Sequence, residues 1–151
     1  MLVFDLVRGL WSVAPGPTPR EHLAVTATGR RIYALGGRSA GFDTNTRLVE
    51  VYNPSRTRWS RLPSLPEARG GTGAAAVGAT ILSVGGEATT GTIRSVYAFD
   101  TRRRRWRRVA DLPTPRHGLA VVPASGRVYA LGGGPTPGLS VSDTNESLRV
   151  G

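Results

Sequence analysis

Three arginines recur at one interval along the chain: Arg20, Arg69 and Arg116 lie 49 and 47 residues apart, each closing a proline-containing turn. A guanidinium is a rigid fork of donors that matches a carboxylate or phosphate in bidentate fashion. Gathered at one mouth, the three could hold an anionic ligand. Alternatively, each could bond the backbone carbonyls of neighbouring loops and staple the structure together; residue type and spacing leave both readings open. His22 and His117 stand beside two of these arginines, and Glu87 directly follows a Gly-Gly pair. These six residues are the candidates for contact with a ligand or partner. No serine–histidine–carboxylate set or pair of acids suited to hydrolysis accompanies them. No residue is therefore assigned a catalytic role.

Other constellations point to less. Gly71, Gly73 and Ala76 satisfy the dinucleotide-binding pattern as a string, but that motif needs a buried strand before it and a helix after it. Pro63 and Pro66 precede it, and proline is excluded from central strands. Asp43-Thr44-Asn45 recurs as Asp143-Thr144-Asn145, yet two oxygens per loop fall short of the roughly 6–8 ligands calcium takes, and Asx turns account for both. Cysteine is absent, which removes disulfides, thiolate–zinc sites and a thiol nucleophile. No metal or cofactor is expected.

The charge is unusual in kind. The chain carries 20 basic and 10 acidic residues among 151, a formal net charge of +10. Every basic residue is arginine. A nucleic-acid surface would ordinarily use lysine as well, so the excess is read as a pointer to an acidic protein partner rather than to nucleic acid. Asp5 and Arg8 interrupt the apolar N-terminus before a signal-peptide core could form. No stretch approaches the roughly 20 apolar residues of a membrane span. A cytoplasmic location is the expectation if this N-terminus is native.

The elements that must position these residues repeat. IYALGG, ILSVGG and VYALGG end in Gly36-Gly37, Gly85-Gly86 and Gly132-Gly133, with first glycines 49 and 47 residues apart. Trp11, Trp59 and Trp106 step by 48 and 47. Within each period a small-residue strand (22–28, 71–77, 117–123) precedes the diglycine strand, and a variable loop follows. A third strand (48–53, 95–100) then leads through a short turn to the tryptophan strand. Apolar alternation between turn residues gives four short strands per unit and no helical period.

The diglycines, Tyr33 and Tyr129 before them, Tyr52 and Phe99 on the third strand, and the tryptophans together resemble the kelch repeat, of the galactose-oxidase-like β-propeller family. The match covers nearly the whole chain; Leu82 departs from it where a tyrosine is expected. The implied fold is all-β. Units at about 1–15 (a half-blade), 20–62, 69–110 and 116–151 (incomplete) make about three four-stranded blades, half of a six-bladed ring. The chain is then a fragment of a longer propeller, or a homodimer completes the ring.

The resemblance implies that the loops between strands two and three, and those linking blades, form a recognition face. The expected role is non-catalytic protein–protein interaction, with a sugar- or glycan-acting enzyme of the mutarotase or epimerase kind as the alternative. It also settles how to read DTRRRRW (100–106), which aligns with NPSRTRW (53–59) and DLVRGLW (5–11). The arginine run is the turn between strands three and four, and Trp106 is a packing residue.

Overall fold

A computed structural model describes residues 1–149. Fifteen strands follow in chain order: β1 (Leu2–Asp5), β2 (Leu10–Val13), β3 (Ala24–Thr28), β4 (Arg31–Leu35), β5 (Val49–Asn53), β6 (Arg58–Arg61), β7 (Gly73–Val77), β8 (Thr80–Val84), β9 (Glu87–Ala88), β10 (Gly91–Thr92), β11 (Ser95–Asp100), β12 (Arg105–Asp111), β13 (Ala120–Ala124), β14 (Arg127–Leu131) and β15 (Asn145–Arg149). They form an N-terminal hairpin β1–β2, two four-stranded antiparallel sheets, β3-β4-β5-β6 and β7-β8-β11-β12, and a three-stranded sheet β13-β14-β15. A two-residue hairpin, β9–β10, stands in the loop of the second unit. The third strand that the sequence begins near its C-terminal end is thus formed, with Leu148 opposite Val128.

Each sheet is a meander because its strands alternate side chains and are joined by tight turns. Two turn positions demand a left-handed backbone. The turn between strands one and two of the first sheet carries Gly29 and Arg30 at φ +56° and +61°, the two-residue geometry that matches strand twist. The turn before each tryptophan places Gly9, Thr57 and Arg104 at +65°, +49° and +57°. After it, the cross-strand partner of each tryptophan is an aromatic: Phe4–Trp11, Tyr52–Trp59 and Phe99–Trp106, with ring centroids 4.9, 5.3 and 4.9 Å apart. The Trp59 and Trp106 indole N–H groups donate to the carbonyls of Pro15 and Pro63 in the preceding linker, at 2.8 and 2.9 Å. Trp106 is thereby fixed as packing, while Trp11, on a hairpin with no sheet packed outside it among the described residues, is 66% exposed.

The core lies between successive sheets. Tyr33, Leu35 and Val49 of the first meet Ile81 and Phe99 of the second. Leu82, Val84, Val96 and Ala98 of the second meet Val128 and Ala130 of the third. Innermost strands β3, β7 and β13 are neighbours, with β7 in the middle. Their crowding explains the small residues of β7: a side chain on Gly73 would overlap Val121 of β13. The string Gly71–Ala76 therefore runs into and along strand β7, and no helix follows it, so the dinucleotide pattern has no structural counterpart here.

The diglycines join one sheet to the next. Gly37 donates its N–H to the carbonyl of Arg69 at 2.9 Å, and Gly86 to that of Arg116 at 2.8 Å. Gly36 sits at φ +61°, and a Cβ there would come within 2.6 Å of the Arg69 oxygen. Only glycine combines that backbone conformation with that approach.

Candidate functional site

The three periodic arginines point inward. Arg20 donates Nε to the Gly36 carbonyl at 2.6 Å and Nη1 to Glu50 at 2.5 Å. Arg116 repeats this with Gly132 at 2.8 Å and Glu146 at 2.7 Å, and adds the Ala130 carbonyl at 3.0 Å. Arg69 bonds the Gly85 and Ser95 carbonyls at 3.1 and 3.0 Å, and Glu67 at 2.6 Å. The side chains of Arg69 and Arg116 are fully buried. Each guanidinium therefore ties strand two to the segment entering strand three of its own blade. Its backbone carbonyl holds the diglycine of the blade before, in the case of Arg69 and Arg116.

The glutamates that complete these staples carry the electrostatics. Burial alone would raise the Glu50 pKa, but hydrogen bonds from Thr18 and Arg20, with the Arg20 charge, outweigh it and hold it below the ordinary carboxylate value. Glu146 is lowered through the same balance, with Arg116 and Thr114 as donors. Burial lowers the pKa of Arg69 from its usual value, against the opposing charge of Glu67. Sequence reasoning passed over Glu50 and Glu146, although each stands 30 residues after its arginine.

At the centre of the loop face two of the remaining candidates, Glu87 and His117, meet. Glu21, Gly70 and His117 bridge antiparallel to Arg38, Glu87 and Gly134, the residues that follow the three diglycines. Arg38 donates Nη1 to Glu87 Oε1 at 2.9 Å and Nε to Glu21 Oε1 at 3.1 Å. Glu87 Oε2 accepts the backbone N–H of Gly138 at 3.0 Å and lies 3.5 Å from His117 Nδ1. His117 Nε2 is 3.0 Å from the Thr136 carbonyl. Asn45 Nδ2 reaches the Glu87 carbonyl at 2.7 Å. Glu87, 1% exposed, is thus a hub that links three blades, and both its oxygens are engaged. A carboxylate held this way is spent on structure and is poorly placed to take a proton from a substrate.

His22 has a different place from His117. It aligns with Gly71 and Gly118, all at positive φ (+54°, +60° and +63°). Gly71 donates to the His22 carbonyl at 2.8 Å, and Gly118 to the Gly71 carbonyl at 2.7 Å. A chain of backbone hydrogen bonds so crosses the channel mouth. The His22 ring is 43% exposed and contacts Glu21, itself 54% exposed, at 3.4 Å. Those two side chains are what the network presents to solvent. Arg38 was not foreseen, though it holds the same post-diglycine position as Glu87.

Among the described residues no three His, Cys, Asp or Glu side chains gather as metal ligands. No helix among the described residues is long and apolar enough to cross a membrane.

Four-stranded antiparallel units fanned about one axis, stitched by diglycines and stapled by arginines, define a partial β-propeller. The family model described as the KLHDC2/KLHL20/DRC7 kelch-repeats domain matches residues 1–143. The chain belongs to the kelch-repeat family, whose domains are generally protein-interaction modules. It is similar to the F-box/kelch-repeat protein At1g16250 of Arabidopsis thaliana, 38% identical over 64 residues, 42% of this chain and 17% of the relative. It is also similar to the Kelch-like protein terF of Aspergillus terreus, 36% identical over 93 residues, 58% of this chain and 20% of the relative. The chain thus spans about a fifth of the length of these curated relatives.

Proposed function

We propose that this chain is a non-catalytic recognition module that binds a protein through its loop face. The observation that carries the reading is the Glu21–Arg38–Glu87–His117 network. It locks loops of three blades to one another through buried charge while leaving Glu21 and His22 exposed above it. A rigid platform lowers the ordering cost of association, and few-residue hot spots on such platforms dominate binding energy. In this reading Arg20, Arg69 and Arg116 set the loops, Glu87 and His117 brace them, and Glu21 and His22 touch the partner.

The test is affinity capture from a lysate by the chain and by the Glu21→Ala/His22→Ala variant, with quantitative mass spectrometry. A partner enriched by the parent and reduced at least tenfold by the variant, at unchanged melting temperature, supports the loop face. A partner held equally by both places binding elsewhere and overturns the assignment. A sugar whose anomers the chain interconverts, followed by NMR, would replace the recognition reading with the enzymatic one.

A further inference from the structure

The face opposite the loops is built from the turns between strands one and two and between strands three and four. Its charge is one-sided. Arg30 and Arg31 come from the first blade, Arg102 and Arg104 from the second; all are exposed and make no ion pair among the described residues. The acids on these turns are occupied: Asp5 accepts the N–H groups of Val7 and Arg8, and Asp100 accepts the N–H groups of Arg102 and Arg103 and the Arg103 guanidinium, the last three at 2.8–2.9 Å.

Between the two blades this face is cleft. One hollow of about 530 Å³ is lined by Thr28, Arg31, Tyr33, Gly78, Thr101 and Arg102. A second, of about 280 Å³, is lined by Arg31, Tyr33, Val51, Leu62, Thr101 and Arg104. Shared residues Arg31, Tyr33 and Thr101 make the two continuous. Thr28 fixes the junction by donating its hydroxyl to the Gly78 carbonyl at 2.7 Å. Tyr33 is only 7% exposed, lines both hollows, and its hydroxyl makes no hydrogen bond among the described residues. The Tyr33 ring is buried while its hydroxyl opens on the hollows, and together with three unpaired guanidiniums it offers a group of donors to an acidic ligand.

We propose that this inter-blade groove is a second binding site, taking an extended acidic segment of a protein, with Tyr33 and Arg31 at its centre and Arg102 and Arg104 at its ends. The chemistry favours carboxylates on a peptide over a nucleic acid. The wall formed by Val51 and Leu62 is apolar and suits a hydrophobic side chain set between acids. Tyr33 is the aromatic common to both hollows and its ring is buried, while Trp106, packed on Phe99 and bonded to Pro63, does not line the groove, so the groove lacks an open ring for base stacking. The site is separate from the loop face and stands or falls independently of it.

Fluorescence anisotropy with a labelled peptide alternating glutamate and leucine tests this on the full chain. Its controls are the lysine-for-glutamate peptide and a labelled DNA duplex. Expected is micromolar binding of the acidic peptide, weakened at least tenfold in Arg31→Ala/Arg102→Ala/Arg104→Ala and about threefold in Tyr33→Phe. Arg94→Ala, away from the groove, should bind as the parent does. No acidic-peptide binding, or equal binding by the triple variant, overturns the proposal. Tighter binding of the duplex with the same arginine dependence overturns it in favour of a nucleic-acid surface. The four groove side chains Arg31, Tyr33, Arg102 and Arg104 line it directly, and the three arginines are solvent-exposed, so a melting curve of each variant separates lost binding from lost folding.

Discussion

Removing the carboxylate from each arginine staple should destabilise the protein in an order set by burial. In the first blade Glu50 and Arg20 are 7% and 3% exposed at the side chain and 2.5 Å apart, and Glu50 also takes the Thr18 hydroxyl at 2.8 Å. Glu50→Ala leaves a guanidinium buried without its counter-charge, which costs about 3–5 kcal/mol. At about 2–4 °C per kcal/mol for a domain of this size, the melting temperature should fall by roughly 6–20 °C. Glu146 is 16% exposed beside a fully buried Arg116, so Glu146→Ala should cost somewhat less. Glu67 is 44% exposed, and Ser95 also serves Arg69. Water can replace that carboxylate, and Glu67→Ala should cost about 1 kcal/mol or less. Urea unfolding followed by tryptophan fluorescence measures all three. The pH dependence adds a check on sign. The folded pKa of Glu50 is lowered, so its contribution is complete above the unfolded value of about 4.3 and is lost as pH falls through the folded one. The gap between parent and Glu50→Ala should narrow below about pH 4. Equal cost for Glu50→Ala and Glu67→Ala, or a gap that widens in acid, would refute the reasoning.

Two further outcomes follow from the backbone. Gly73→Ala should destabilise by about 1–3 kcal/mol through overpacking, since its Cβ would overlap Val121 and lie 3.1 Å from the Leu119 carbonyl; adding Val121→Ala should recover part of the loss in the same urea assay. Arg30→Gly should stabilise by about 1 kcal/mol, because Arg30 holds φ +61° with open solvent around it, and calorimetry should show a raised midpoint.

The order of strands was readable because it rests on local signals. Diglycine, tryptophan and proline recur at one interval, and each reports a backbone requirement or a packing volume. Strands β5 and β11 fall within a residue of where alternation puts them. The staples were half-visible: the arginines stood out by period, whereas their acids did not, because the place of Glu50 and Glu146 is taken in the second unit by Tyr97, whose ring lies under Arg69, and the pattern breaks there. The loop-face network was the least legible. Arg38, Glu87 and His117 lie in different units and meet only because three sheets converge on an axis, and no local spacing encodes that convergence. The same holds for the groove: Arg31 and Arg102 are neighbours through the packing of one turn against another, while in the sequence one belongs to a hairpin and the other to an arginine run.

The distribution of charge follows from how the blades are joined. Junctions made by Gly37 with Arg69 and Gly86 with Arg116 are backbone to backbone, so they ask nothing of side chains except their absence. Side-chain charge on the loop side is then free to serve the staples and the hub, and five glutamates, Glu21, Glu50, Glu67, Glu87 and Glu146, are all taken up by arginines there. Few acids remain to balance the turns on the other side, where Arg30, Arg31, Arg102 and Arg104 stand unpaired. These four arginines contribute part of the net charge of +10 to that face. In the two proposals made above, the positive field of these turns steers an acidic segment to the inter-blade groove, while the loop face, its glutamates already paired, engages a different ligand.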